Sequence, residues 1–173
     1  MAIDTKEQFS TVYRTNYAAV LAYLRRRSEL ETSEDLAAEV FLRAWRRKST
    51  CHGEPLPWLY GIARNVLLEH YRGRQRREAA VMQAEAKAAA ELQLEQTSPE
   101  RGPKTVVAAA LDIRQALSEL SETDREVLTL YTWENLGYEE LATVLDISAA
   151  TARVRVHRAR KRLAEIVEKE SNV

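Results

Sequence analysis

The chain has 173 residues, 45% of them hydrophobic and 30% charged, and its 26 basic and 26 acidic side chains cancel to a formal charge of zero. That is apolar material for one or two small cores, and the scarcity of Gly, Pro and Phe predicts an all-α protein. Zero charge argues against a nucleic-acid partner only when charge is evenly spread, and here the basic residues are gathered into patches.

No apolar run is long enough to span a membrane, and the opening MAIDTKEQFS lacks the charged-then-apolar pattern of a signal peptide. The expectation is a cytoplasmic protein with no membrane insertion. The lone cysteine, Cys51, excludes an internal disulfide. Cys51, His52, Glu69 and His70 are the candidates for a metal or nucleophilic site, but no CxxC, HExxH or Gly-rich phosphate loop accompanies them. No catalysis, metal or cofactor is therefore expected.

From Lys6 to Arg27, Phe9, Val12, Tyr13, Tyr17, Val20, Leu21 and Leu24 recur at spacings of three and four, which predicts an amphipathic helix ending in Arg25-Arg26-Arg27. Residues 28–32 read as a polar loop, and Ser33 as the N-cap of a helix from Glu34 to Arg47. In that helix Leu36, Ala37, Val40, Phe41, Leu42, Ala44 and Trp45 wrap most of the circumference, leaving Asp35, Ala38, Glu39, Arg43 and Arg46 for solvent. Such a helix needs cover on two sides, from its own domain or from a partner.

The stretch Lys48 to Pro57, KSTCHGEPLP, reads as a loop, followed by a helix from near Trp58 to about Arg77 with Leu59, Ile62, Ala63, Val66 and Leu67 inward. The junction mixes aromatics (Trp58, Tyr60, Tyr71) with Arg64, Arg72 and Asn65, and the helix closes on Arg72, Arg74, Arg76 and Arg77. Stacking platforms beside cations suit single-stranded nucleic acid; a core aromatic set beside a solvated helix end has the same composition.

Glu78 to Gln96 is rich in Ala and Glu, and Pro99, Gly102 and Pro103 follow, so residues 79–105 read as a flexible linker between small helical domains at 1–78 and 106–173. Helical spacing returns through Val107, Leu111, Ile113, Ala116, Leu117 and Leu120, and Ser121 with Asp124 resembles a capping box for a helix through Val127, Leu128, Leu130 and Tyr131. Two helices then flank Asp146-Ile147-Ser148. Tyr138, Leu141, Ala142 and Leu145 share one face of the first, and Ala152, Val156, Ala159 and Leu163 one face of the second. Asp146 tolerates a left-handed turn and Ser148 supplies an N-cap, which is the anatomy of a helix-turn-helix. The outer face of the second helix carries Ala150, Val154, His157, Arg158 and Lys161 with Thr151 and Arg153 beside them, and no acidic residue falls between Ser148 and Ala164. That is a recognition helix for the major groove, with cations for phosphates.

Both halves, in this order, resemble regions 2 and 4 of a bacterial RNA polymerase sigma factor of the extracytoplasmic-function (ECF) type. The residues that carry it are Glu34-Asp35-Leu36, Glu39 to Trp45, Pro57 to Tyr60 and Ile62 to Asn65 in the first half. In the second they are Arg125 to Leu128, Tyr138 to Ala142 and His157 to Arg160. The resemblance implies a non-catalytic subunit that binds core RNA polymerase, directs it to promoters and helps melt the −10 element. It implies core contacts by Asp35, Leu36, Glu39, Phe41, Leu42 and Arg43. Lys48, His52, Trp58, Arg64, Asn65, Arg72, Arg74 and Arg76 would hold the single strand at −10. Thr151, Arg153, Val154, Arg155, His157, Arg158 and Lys161 would read the −35 duplex, Val154 through a thymine methyl. Family analogy adds an anti-sigma factor as partner. A stand-alone helix-turn-helix regulator is the alternative; it accounts for the second half but not for the first. Two domains packed together would hide both DNA surfaces.

Overall fold

The computed structural model describes residues 3, 5–92 and 115–171, and every element among them is helical. Helix α1 (Lys6–Arg25) opens on a reciprocal cap: Thr5 Oγ1 accepts from the Gln8 amide at 3.2 Å, while Gln8 Oε1 accepts from the Thr5 amide at 3.1 Å. It buries Val12, Asn16, Val20, Tyr23 and Leu24.

Helix α2 (Leu30–Arg46) starts four residues ahead of Glu34. The Thr32 and Ser33 amides already pair with the Glu29 carbonyl at 3.2 and 3.1 Å, so of the loop expected at residues 28–32 only Ser28 and Glu29 lie outside helix. Ser33 is fully buried and its hydroxyl donates back to the Leu30 carbonyl at 2.6 Å. A serine in the first turn can serve either end of this exchange, which is why it reads as a cap in sequence.

A short 3-10 turn (Lys48–Thr50) leads to helix α3 (Pro55–Leu92). The helix begins at Pro55 rather than Trp58, because proline is at home in a first turn where its missing N–H costs nothing. It also runs past Arg77 to Leu92, so the first part of the expected linker is helix. Nothing from Glu78 to Leu92 breaks it: Ala, Glu, Gln and Lys are strong helix formers, and Arg74 Nε pairs with Glu78 Oε1 one turn on at 2.8 Å. The expected linker beyond Leu92, and the returning helix as far as Arg114, lie outside the described residues.

After a helical stretch at 115–119 come α4 (Glu122–Thr132), α5 (Tyr138–Leu145) and α6 (Ala149–Ser171). Ser121 caps α4, its Oγ accepting from the Asp124 amide at 3.2 Å. Glu140 Oε2 caps α5 by accepting from the Gly137 amide at 2.6 Å. Asp146 takes the left-handed turn at φ 53°, and Ser148 Oγ accepts from the Thr151 amide at 3.1 Å, as the residue types predict.

Helices α1, α2 and α3 pack on one another, as do α4, α5 and α6, and α3 also packs on α5. The two helical units are therefore joined. A Cβ on Gly61, in the second turn of α3, would lie 3.7 Å from the Val144 carbonyl oxygen and 3.8 Å from that of Thr143, so the α5 backbone comes within van der Waals reach of α3 and a side chain larger than a methyl would press on it.

Candidate promoter and polymerase surfaces

Burial of Ala152, Val156 and Ala159 against α4 and α5 fixes which way α6 faces. Thr151, Arg153, Val154, His157, Arg158 and Lys161 all project into solvent, and Arg155 is half-buried. The Arg153 guanidinium lies 5.2 Å from the centre of the Tyr138 ring, which itself stacks on Tyr131 at 5.7 Å. Lys161 is loosely paired with Glu165 at 3.9 Å. Among the described residues Arg155, Arg158 and Arg160 make no ion pair, whereas Arg162 pairs with Asp124. The sequence-predicted duplex-reading residues thus lie along one helix, outward and mostly unengaged.

In the first unit the surface is more divided. Asp35 is exposed, Glu39 half-buried and Leu42 44% exposed, but Leu36 and Phe41 lie in the core. Phe41 meets Tyr13 edge-on at 4.7 Å and stacks on Tyr17 at 5.9 Å. Two-sided cover of α2 is therefore partial: its own domain covers one stripe, and Leu42 with the 37%-exposed Trp45 remains outside. Arg43 is engaged, donating to Glu39 at 2.6 Å and to both oxygens of Glu69 at 2.8 Å. Those carboxylates hold Arg43 protonated well above its usual range, and the guanidinium holds the Glu69 carboxyl below its own.

Among the candidates for the strand at −10, His52, Asn65, Arg72 and Arg76 are exposed, and Trp58 is half-buried against the core. Lys48 caps the Trp45 ring at 4.3 Å. Arg74 is shared between Glu29 and Glu78. Cys51 is fully buried while His52 beside it is exposed, and burial pushes the Cys51 thiol up. Among the described residues no group of His, Cys, Asp and Glu is arranged to hold a metal, and no helix is long and apolar enough to cross a membrane.

What sequence reasoning missed lies between the two units: it placed Arg64 at the −10 strand and Arg26 and Arg27 at a helix end, and gave Glu126 and Glu134 no part in joining them. Arg64 makes a side-on pair with Glu126, Nε at 2.6 Å and Nη2 at 3.0 Å. Glu134, with a side chain only 2% exposed, accepts from Arg27 at 2.9 Å and from Arg26. The Tyr60 hydroxyl reaches it at 3.4 Å. Glu134 is aimed there by a turn in which Asn135 adopts φ 52° and the Leu136 amide returns to the Leu130 carbonyl. An open cavity of about 870 Å³ flanks these pairs, with Tyr71, Arg72, Leu117 and Trp133 in its walls. Closure covers Arg64 and Tyr60 but leaves the outer face of α6 exposed, so packing the units together does not hide both candidate surfaces.

Residues 12–77 match the family model described as Sigma-70 region 2, and residues 110–163 the one described as Sigma-70, region 4. RNA polymerase sigma factor YlaC of Bacillus subtilis is 31% identical over 162 residues, with 91% of each chain covered. The chain belongs to the sigma-70 family of RNA polymerase sigma factors. ECF RNA polymerase sigma factor SigM of Bacillus subtilis is 32% identical over 136 residues, covering 76% of this chain and 77% of that one. Among solved structures, the fold is similar to that of the sigma factor RpoE in complex with the anti-sigma factor NepR from Bartonella quintana. The TM-score is 0.61 at 24% identity, over 94% of this chain and 98% of the other. CnrH in complex with the cytosolic domain of CnrY gives 0.59 at 20% identity, over 95% and 90%. As an ECF-type sigma factor with regions 2 and 4, the protein is a transcription initiation factor, and a stand-alone regulator is not favoured.

Proposed function

We propose that region 2, residues 1–78, docks on core polymerase through the exposed strip of α2 and holds the melted −10 strand, while region 4, residues 106–173, reads the −35 duplex. On α2, Asp35, Leu42 and Glu39 make the contact, Leu36 and Phe41 support it from beneath, and Arg43 exchanges Glu69 or Glu39 for a partner carboxylate. Asn65, His52 and Arg72 hold bases and backbone of the single strand, with Trp58 packed under them and Lys48, Arg74 and Arg76 adding charge. Thr151, Val154, His157 and Arg158 face the −35 base edges, and Arg153, Arg155 and Lys161 hold phosphates. The work is done in the cytoplasm, where polymerase is, and an anti-sigma factor is the partner expected to withhold the protein from it.

The observation that carries this reading is the coexistence, in one chain, of an outward basic recognition helix and a second domain whose most apolar helix leaves Leu42 and part of Trp45 exposed. Run-off transcription by core polymerase on sheared genomic DNA, with and without the protein, tests it. New discrete transcripts are expected, and mapping their starts yields both promoter elements. Specific duplex binding without transcripts would return the protein to the class of stand-alone regulators.

A further inference from the structure

Three guanidinium groups of region 2 are held by two carboxylates of region 4. Glu126 receives Arg64 side-on through both of its oxygens, the fork geometry that a guanidinium also presents to a phosphate. Glu134, almost fully enclosed, receives Arg27 and Arg26. Arg27 is itself preset: it donates to the Tyr23 carbonyl at 3.1 Å and lies 3.9 Å from the centre of the Tyr23 ring. The Tyr60 ring sits 5.0 Å from Tyr23 and is 3% exposed under the same contact. Cations aligned beside an aromatic ring are the ingredients of a single-strand site, and here they are covered by acids from the other domain. Arg26 and Arg27 have no part in any role assigned above.

We propose that Arg26, Arg27 and Arg64 form a phosphate-binding row for a single DNA strand, and that Glu126 and Glu134 occupy it as phosphate stand-ins while the domains are closed. The proposal rests on region 2 being the strand-holding half. When region 4 swings away, three charges and the face of Tyr60 are released beside Arg72, which lines the same cavity as the three arginines, extending the strand's path towards the end of α1. Strand and carboxylates compete for the same groups, so closure and strand binding exclude one another.

Two full-length variants open the pair by different routes. Glu126→Gln with Glu134→Gln removes the stand-in charges and keeps their volume. Gly61→Leu adds three carbons beyond a Cβ that would already touch the Val144 and Thr143 carbonyl oxygens, wedging the interface while leaving every charge in place, so a folding defect in the first variant does not end the test. Radius of gyration by small-angle scattering reports opening, and anisotropy of a short, labelled, mixed-sequence DNA strand reports binding. Both variants are expected to be larger than the parent and to bind the strand roughly five- to ten-fold tighter, the competent fraction having risen by that factor. Adding Arg26→Ala and Arg27→Ala to Gly61→Leu should abolish most of that gain and flatten the salt dependence by roughly 1.4 in log–log slope. Opened variants that bind no tighter, or a gain that survives loss of Arg26 and Arg27, overturn the phosphate row. Variants as compact as the parent overturn the carboxylates as its closure. Opened variants that bind no single strand at any salt concentration overturn the reading of region 2 itself.

Discussion

Arg158 projects from the third turn of α6 with no ion-pair partner among the described residues, whereas Arg162, one turn on, is committed to Asp124. Arg158→Ala should weaken duplex binding and reduce its salt slope by roughly one unit. Unchanged affinity in an anisotropy titration across salt would remove α6 from the groove. Neighbouring positions on α2 separate structure from surface in the same way. Phe41→Ala leaves a hole among Tyr13, Tyr17 and the core, and thermal or denaturant unfolding should show a loss of about 3–5 kcal/mol. Leu42→Asp should leave the melting temperature nearly unchanged and weaken co-purification with core polymerase. The outward face of α6 was legible because Ala152, Val156 and Ala159, spaced four and three apart, define the buried stripe and hence the rest. On α2 the sequence shows an apolar circumference but not which stripe its own domain covers, so Leu36 and Phe41 read like Leu42.

At the scale of elements, the helix-turn-helix follows from local chemistry: an aspartate where a left-handed residue is needed, a serine in front of α6, and spacing on each side. Asp146→Val, a β-branched residue at φ 53°, should cost about 1–2 kcal/mol in chemical denaturation, and Asp146→Gly should cost little or nothing. A valine variant as stable as the parent would show that the turn does not depend on this conformation. Boundaries were less legible. The start of α2 was displaced by a serine able to act as cap or as helical back-donor, and the end of α3 by treating an Ala- and Glu-rich stretch as connection although nothing in it stops a helix before Leu92.

Across the whole molecule the packing of region 2 on region 4 was not legible, because it depends on pairs 62 and 108 residues apart in sequence. A run of three arginines reads as a helix end until the acid that meets it is known. The same interface gives a pH signature. Burial pushes the Tyr23 hydroxyl up to about 12, and burial beside Glu134 pushes that of Tyr60 up to about 12 as well. Unfolded, both titrate near pH 10, so between roughly pH 10 and 12 the unfolded chain binds fewer protons than the folded one and stability falls as pH rises. The two contributions are complete below pH 10. Melting temperatures measured through this window should fall less steeply for Tyr60→Phe than for the parent; parallel curves would exclude Tyr60 from the effect.

Helix α3 is one rod, and Gly61, where region 4 presses on it, lies close to one end, with Leu92 at the other. At about 1.5 Å per residue the arm between them is roughly 45 Å long. It works as a lever with a short and a long side: a tilt of roughly 10° about Gly61 carries the far end through roughly 8 Å, given that rise per residue. A rotation that barely shifts the backbone at the region 4 contact is thereby magnified at Leu92.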